Sequence, residues 1–110
     1  MRYEEDKRGD TLIVRLQDQR LTSHEAPEMK TAILGWLMTD APKLVVNLRA
    51  VENMDSTGLG ALLFGIRQAE RLGKDIRFCE PASKVQFLIR IAHLDDAMDV
   101  YATEAEALKD

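Results

Sequence analysis

The stretch KLVVNLRAVENMDSTGLGALLFGIRQAERLG, residues 43–73, combines the patterns of a buried strand, a polar turn and a helix. Residues 43–48 form a short valine-rich apolar run after Pro42, which is typical of a strand covered on both faces. Apolar residues then recur at helical spacing and stop at Gly73, which suits the left-handed position after a helix. Residues 55–60 therefore lie at a helix N-terminus, where backbone N–H groups are unpaired and the helix dipole is positive. This segment is predicted to be an anion site, or to carry a hydroxyl group that becomes an anion.

Two strands are predicted near the start of the chain. Residues 2–8 are charged and fit an edge strand, and residues 8–10 contain the glycine of a turn into the next strand. Residues 11–16 alternate in polarity, as expected of a strand that is buried on one face. The predicted faces are Leu12, Val14 and Leu16 on one side and Thr11, Ile13 and Arg15 on the other.

A helix is predicted after the polar residues 17–25. Pro27 has no backbone N–H to donate, so it must lie in the first turn of this helix, which therefore begins near Ala26. The helix should end near Thr39, because the residue before Pro42 disfavours the helical conformation. One stripe of its surface is predicted to be buried: Ala26, Met29, Ile33, Trp36 and Leu37.

The second half of the chain continues the alternation of strands and helices. Residues 75–79 fit a strand, and residues 81–83 fit a turn into a helix that a capping box of Ser83 and Gln86 would start. Residues 98–101 fit a last short strand. The predicted buried face of the helix comprises Val85, Leu88, Ile91 and Ala92.

A short helix is predicted for residues 103–109, which are rich in alanine and glutamate and begin with a capping pair, Thr103 and Glu106. Strands and helices therefore alternate after an opening hairpin. This order predicts an α/β domain in which helices pack on a mixed sheet. A length of 110 residues, 45% of them hydrophobic, predicts one domain over residues 1–110 that needs neither metal nor disulfide to form a core.

Composition argues against several classes of partner. The formal net charge of −4, with Lys and Arg scattered along the chain, provides no electrostatic footprint for DNA or RNA. The single cysteine, Cys79, excludes an intramolecular disulfide and is predicted to be a small buried hydrophobic residue. The acidic N-terminus lacks the apolar region of a signal peptide, and no apolar run approaches the roughly 20 residues that span a bilayer. We therefore expect a cytoplasmic protein without nucleic-acid or membrane partners.

Catalysis is not expected, although a serine at a strand-to-helix turn invites comparison with hydrolases. A nucleophile elbow needs Gly-x-Ser-x-Gly and a histidine base, but Met54 stands where the glycine before Ser56 would be. The two histidines, His24 and His93, fit surface positions in a loop and at a helix end. The chain is therefore predicted to be non-enzymatic.

Cofactor and metal interpretations of the same turn are weak. Gly58 and Gly60 lack the third glycine of a dinucleotide fingerprint, which would fall at Leu63. Asp55 and Glu52 provide two carboxylates without convergent ligands elsewhere in the sequence. Neither a metal nor a cofactor is predicted for this chain.

Helix capping is an alternative explanation of the polar residues in the turn. Asp55 belongs to a preferred capping type, and the hydroxyl group of Ser56 or Thr57 can also accept a hydrogen bond from the exposed N–H groups. The residues alone leave open which of the three is the cap.

The segment Asn-Met-Asp-Ser-Thr-Gly-Leu-Gly at residues 53–60 follows the Leu-Val-Val-Asn-Leu strand at residues 44–48 and resembles the anti-sigma-factor antagonist family, the small STAS domains. The resemblance extends from about Asp10 to Lys109. It implies a four- to five-stranded mixed β-sheet flanked by about four α-helices. In antagonists with this motif, a partner kinase phosphorylates the hydroxyl residue directly after the aspartate. That residue corresponds to Ser56 here, with Thr57 as the second candidate.

The resemblance further implies a partner-switching regulator without activity of its own. Its unphosphorylated form would bind and sequester an anti-sigma factor or serine kinase of the ATP-binding, histidine-kinase-like type. Phosphorylation of Ser56 would end this binding, and a metal-dependent serine phosphatase would restore it. ATP and a divalent metal would belong to those enzymes. An alternative is a non-switching STAS subunit or scaffold of a transporter or stress-signalling complex, in which Ser56 is only a cap.

The implied partner surface surrounds Ser56. It comprises Asp55, Ser56, Thr57, Gly58, Gly60, Phe64, Thr22, Ser23 and His24. Phe64 falls outside the apolar stripe of its helix and is either an anchor for the partner or a ring at the edge of the core. Gln19-Arg20-Leu21-Thr22 stands where the family usually has Gly-x-Leu-Asp. The resemblance implies that the loop of Thr22, Ser23 and His24 lies near the start of the Ser56 helix. Because the loop departs from the family pattern, it is expected to tune the choice of partner.

Overall fold

A computed structural model describes residues 1–109 of the chain; Asp110, the last residue of the predicted domain, lies outside this range. The strands are β1 (Tyr3–Arg8), β2 (Thr11–Leu16), β3 (Arg20–Leu21), β4 (Lys43–Asn47), β5 (Asn53–Met54), β6 (Asp75–Cys79) and β7 (Val100–Tyr101). The helices are α1 (Ala26–Leu37), α2 (Ser56–Leu72), α3 (Ser83–Ile91) and α4 (Glu104–Ala107). The predicted order of elements is confirmed, and the two short strands β3 and β5 are additional.

The main sheet contains five strands in the order β1-β2-β4-β6-β7. Strand β1 is antiparallel to β2, and the other neighbours are parallel. The expected α/β fold with a mixed sheet is therefore confirmed. Strand β1 lies at the edge of the sheet, as its charged sequence predicts.

The main core lies between one face of the sheet and the first three helices. Alternate residues of β2, β4 and β6 join the buried side chains of α1, α2 and α3 in one apolar cluster. The sheet contributes Leu12, Val14, Leu16, Leu44, Val46, Ile76 and Phe78 to this cluster. All five residues of the stripe predicted for α1 are buried, which confirms that prediction.

The second face of the sheet is also covered, and this corrects one prediction. Ile13, Val45 and Cys79 belong to a separate buried cluster with Ala107 of α4. Strand β2 is thus buried on both faces, because α4 packs onto the face that the alternation of polarity left to solvent. Cys79 is buried, as predicted.

Helix α3 differs from its prediction in both its start and its buried face. Ala82 occupies the N-cap without a side-chain bond, and the Gln86 N–H donates to the Ala82 carbonyl at 2.9 Å. The capping box predicted for Ser83 and Gln86 is therefore wrong. Val85 and Ile89 are buried, whereas Leu88 is half-buried and Ile91 and Ala92 are exposed. A helix of nine residues has too few turns for apolar periodicity to define which side faces the sheet.

The other helix ends follow the sequence signals closely. Helix α1 has Pro27 in its first turn and ends at Leu37, two residues before the predicted end. Gly73 follows α2 in the left-handed conformation, with φ of 68°. Thr103 caps α4, because its Oγ1 accepts from the Glu106 N–H at 3.1 Å. Within residues 1–109, the helices are all too short or too polar to cross a membrane.

Candidate functional site

Helix α2 starts at the turn that carries the hydroxyl residues, and Asp55 is its N-cap. The Asp55 backbone is extended, and Asp55 Oδ1 accepts a hydrogen bond from the Gly58 N–H at 2.8 Å. The cap is therefore Asp55 rather than Ser56 or Thr57, which decides the alternatives that the sequence left open. Ser56 is the first residue of the helix, and both hydroxyl residues are exposed to solvent.

Asp55 also holds the loop that precedes α1. Its second carboxylate oxygen, Oδ2, accepts from the Ser23 N–H at 3.0 Å, across a sequence separation of 32 residues. Ser23 and His24 are exposed, and Thr22 is half-buried. The loop of Thr22, Ser23 and His24 therefore lies beside the start of α2, as expected.

The same loop has its own hydrogen bonds. The N–H and the hydroxyl group of Thr22 donate to Glu25 Oε1 at 2.9 and 2.8 Å. The Glu25 N–H in turn donates to the Thr22 carbonyl at 3.0 Å. The bond from the Thr22 N–H, followed by the bond from its hydroxyl group, lowers the pKa of Glu25. The loop is thus a closed turn held to α2 through Asp55.

A small parallel sheet of β3 and β5 brings the two segments together. Leu21 pairs with Met54, and the Gln19 carbonyl accepts from the N–H groups of Glu52 and Asn53 at 2.8 and 3.0 Å. The sequence does not predict this sheet, because strands of two residues are too short to show an alternation of polarity. The contact between Asp55 and the loop depends on this pairing, so local sequence patterns could not predict the contact either.

Gly58 is buried beneath the loop. A Cβ atom at position 58 would lie 1.9 Å from the Leu21 carbonyl oxygen, so only glycine lets α2 approach β3 this closely. Gly60 is exposed, and no atom lies within 4 Å of the place where its Cβ would be. Of the two glycines predicted for the partner surface, Gly60 is exposed, whereas Gly58 is buried against β3, which corrects the prediction for Gly58.

Phe64 lies at the edge of the core. Its ring is half-buried against the main apolar cluster, and Lys30 Nζ is 5.7 Å from the ring centroid, within the range of a cation–π interaction. Helix α1 runs beside this part of α2, and a Cβ at Gly65 would lie 2.3 Å from Ile33 Cδ1. Phe64 is therefore not on an open outer face, because the main core and Lys30 of α1 cover part of its ring.

Fixed negative charge lies next to the exposed hydroxyl groups. The hydrogen bond from the Gly58 N–H, with smaller effects from the N–H groups of Ser23 and Thr57, lowers the pKa of Asp55. Asp55 is therefore charged at neutral pH, and an anion added to Ser56 would lie next to it in the first turn of α2.

Cys79 and His93, two other side chains that could be reactive, lie outside this turn. Burial raises the pKa of the Cys79 thiol to about 12, which leaves it protonated. His93 is exposed after α3, with φ of 57°. Among residues 1–109, no three or more His, Cys, Asp or Glu side chains are grouped so that they could hold a metal ion.

The chain belongs to the STAS domain family. The family model of the STAS domain matches residues 2–107, which is nearly the whole chain. The match confirms the resemblance that the motif at residues 53–60 indicated.

Solved structures with the same fold include anti-sigma factor antagonists. A putative anti-sigma factor antagonist from Thermotoga maritima has a TM-score of 0.84 at 23% identity, over 96% of this chain and 91% of that chain. The anti-sigma factor antagonist SpoIIAA in its unphosphorylated form has a TM-score of 0.77 at 23% identity, over 97% of this chain and 93% of that chain. The phosphorylated form of SpoIIAA, a Bacillus cell fate determinant, has a TM-score of 0.70 at 22% identity, over 97% of this chain and 96% of that chain. At these identities the likeness shows the fold.

Asp55→Asn should reduce stability in a manner that depends on pH. The folded-state pKa of Asp55 is lowered, so the charged carboxylate stabilises the fold above the pKa of an unfolded Asp, about 4. This contribution disappears as the pH falls through the lowered folded-state pKa. We expect the urea midpoint of unfolding to be higher for wild type than for Asp55→Asn at neutral pH. The difference between the two midpoints should become smaller in acid. A gap that is the same at all pH values would contradict the role of the charge.

Proposed function

We propose that this chain is a phosphorylation-controlled partner-switching regulator, an anti-sigma-factor antagonist. In its unphosphorylated form it binds and sequesters an anti-sigma factor that is also a serine kinase, and phosphorylation of Ser56 releases the partner. One observation carries the proposal. Asp55 caps α2, so the exposed Ser56 hydroxyl is not needed for the cap and can be modified without unfolding the helix.

The start of α2 can accommodate a phosphate on Ser56. Such a group would carry a charge of about −1.5 to −2 at neutral pH, and backbone N–H groups at the start of a helix stabilise anions. The fold should therefore accept the phosphate in place. A partner that covers Ser56 would have to strip water from that dianion next to the charged Asp55, which opposes binding.

The surface around Ser56 has suitable components for a protein partner. Thr57 and Gly60 are exposed on the same end of α2, and Ser23 and His24 flank it from the loop. The absence of a side chain at Gly60 allows close approach of a partner backbone. Phe64 offers the exposed part of its ring, and the loop provides polar groups that tune the choice of partner.

The partners in this proposal are a serine kinase of the ATP-binding, histidine-kinase-like type and a metal-dependent serine phosphatase. The fold is shared with SpoIIAA, which has been solved with and without phosphorylation, and this supports control by phosphorylation. The types of kinase and phosphatase are those that the resemblance at residues 53–60 implies. ATP and the divalent metal are bound by those two enzymes. The regulator itself has no catalytic activity, and its place of action is the cytoplasm.

Phosphorylation in an extract of the source cells tests the proposal. The chain is incubated with extract and ATP, and its intact mass and the modified residue are then determined. We expect one phosphate on Ser56 in wild type and in Thr57→Ala, and none in Ser56→Ala. A phosphate on Thr57 would contradict the proposal. The proposal would also be contradicted if the wild-type chain acquired no phosphate from the purified kinase that it captures.

A second candidate function is a non-switching subunit or scaffold of a transporter or stress-signalling complex. The fold is also that of a sulfate transporter family protein from Wolinella succinogenes, with a TM-score of 0.77 at 17% identity, over 90% of this chain and 82% of that chain. Co-purification separates the two functions. A soluble ATP-binding kinase supports the switch, and a membrane complex supports the scaffold.

A further inference from the structure

Helix α4 and its flanking residues, the segment 103–109, cover the second face of the sheet on the side away from α1, α2 and α3. The helix has only four residues, and Ala107 is its buried side chain. An isolated helix of this length is unstable in water, because forming the first turn costs more entropy than its few hydrogen bonds offset. The segment therefore keeps its position through contacts with the sheet.

Polar contacts of Glu104, which we call the Glu104 clamp, and of Arg77 join the segment to the sheet. Arg15 Nη2 donates to Glu104 Oε1 at 2.7 Å, and Arg15 Nε donates to Oε2 at 3.0 Å. Asn47 Nδ2 also donates to Oε2, at 2.8 Å. The Glu104 N–H donates to Glu80 Oε2 at 2.9 Å, and Arg77 Nη1 donates to the Ala107 carbonyl at 2.9 Å.

The clamp is shared and reached by water. Arg15 also binds Glu4 at 2.7 Å and Asp6 at 3.1 Å, so its guanidinium group is shared among three carboxylates. An open cavity of about 450 Å³, lined by Arg15, Asn47 and Glu80 among others, lies beside Glu104. The side chains of Arg15 and Glu104 remain 27% and 17% exposed, so water can replace their contacts when the segment opens.

An apolar strip lies beneath the segment. Ile13, Val45 and Cys79 are each at most 1% exposed and form one cluster with Ala107. The strands that carry these residues are anchored independently, because their opposite faces belong to the main core. Loss of the cover would therefore expose the strip without dismantling the sheet.

We propose that residues 103–109 form a hinged cover that opens locally while the rest of the domain stays folded. The segment moves about the residues that follow β7, and the Glu104 clamp holds it in the closed position. Opening exposes an apolar strip on the sheet face opposite to the helix layer that carries Ser56.

The thiol of Cys79, the only cysteine in the chain, reports on this opening. The thiol reagent DTNB is added to the folded full-length chain, and the labelling rate is followed at increasing, non-denaturing urea concentrations. Local opening exposes little surface, so we expect a labelling rate in wild type that depends weakly on urea. Global unfolding would instead give a steep dependence that matches the equilibrium unfolding curve.

Glu104→Gln removes the charge of the clamp and should speed labelling at least about tenfold, because hydrogen bonds to charged groups are the stronger ones. Glu28→Gln is the matched control, since Glu28 pairs with the N-terminal amine at 2.7 Å, outside the clamp, and should leave the rate unchanged. Arg15→Lys keeps the charge and loses the two-pronged geometry, so its rate should rise as well. Equal rates in wild type, Glu104→Gln and Arg15→Lys, or labelling only through global unfolding, would overturn the proposal.

Discussion

Gly58→Ala should destabilise the domain by about 3 kcal/mol, or prevent it from folding, although it adds a single methyl group. The new Cβ would lie 1.9 Å from the Leu21 carbonyl oxygen and 2.8 Å from the carbonyl carbon. Both are backbone atoms, and β3 is held by its pairing with β5, so the clash cannot be relieved by rotation of a side chain. Relief requires α2 and β3 to move apart, which would also disturb the bond between Asp55 and Ser23.

Gly60→Ala is the matched control for this prediction. Position 60 lies in the same helix, two residues away, and a Cβ there would have no atom within 4 Å. Alanine should therefore raise the free energy of unfolding by about 0.5–1 kcal/mol, because glycine is the poorer helix former. Urea unfolding of the two variants measures both effects. Equal effects of the two substitutions would show that the close approach of α2 to β3 does not determine the need for glycine at position 58.

Ser56→Asp should weaken binding of the partner kinase by about thirty-fold or more, and Ser56→Ala should bind whether or not ATP is present. A fixed charge at position 56 would have to be desolvated in the interface beside the charged Asp55. A penalty of about 2 kcal/mol corresponds to roughly thirty-fold in affinity. Both variants should fold like wild type, because the Asp55 cap does not use the Ser56 hydroxyl.

Binding measurements with the purified kinase, by calorimetry or a surface-based assay, check this expectation. Thr57→Asp carries the same charge one residue further along α2 and shows whether the effect is specific to position 56. An affinity of Ser56→Asp equal to that of wild type would place the switch elsewhere, whereas equal losses in both variants would indicate a general effect of charge on the surface.

Local sequence determined most of the secondary structure, because the signals concerned act over a few residues. Pro27 restricts the start of α1, and the valine-rich run after Pro42 identifies β4. Gly73 marks the end of α2, where its left-handed conformation is observed. The motif at residues 53–60 also identified the STAS family.

Only the tertiary structure decided which residues act together at the site. The choice of Asp55 as the cap over Ser56 and Thr57 is a matter of backbone angles and distances, since all three side chains can form such a bond. The bond from Ser23 to Asp55 and the close approach of Gly58 to Leu21 join segments more than 30 residues apart.

The same limit explains the predictions that the structure corrected. Strand β2 is buried on both faces because α4, almost 90 residues later in the chain, reaches it through Glu104 and Arg15. The buried face of α3 was predicted wrongly, because the rotation of this helix about its own axis is set by the elements that it packs against. Periodicity along the chain reports the polarity of one element, whereas burial depends on the other elements that fold onto it, and their positions are set by contacts that no local pattern records.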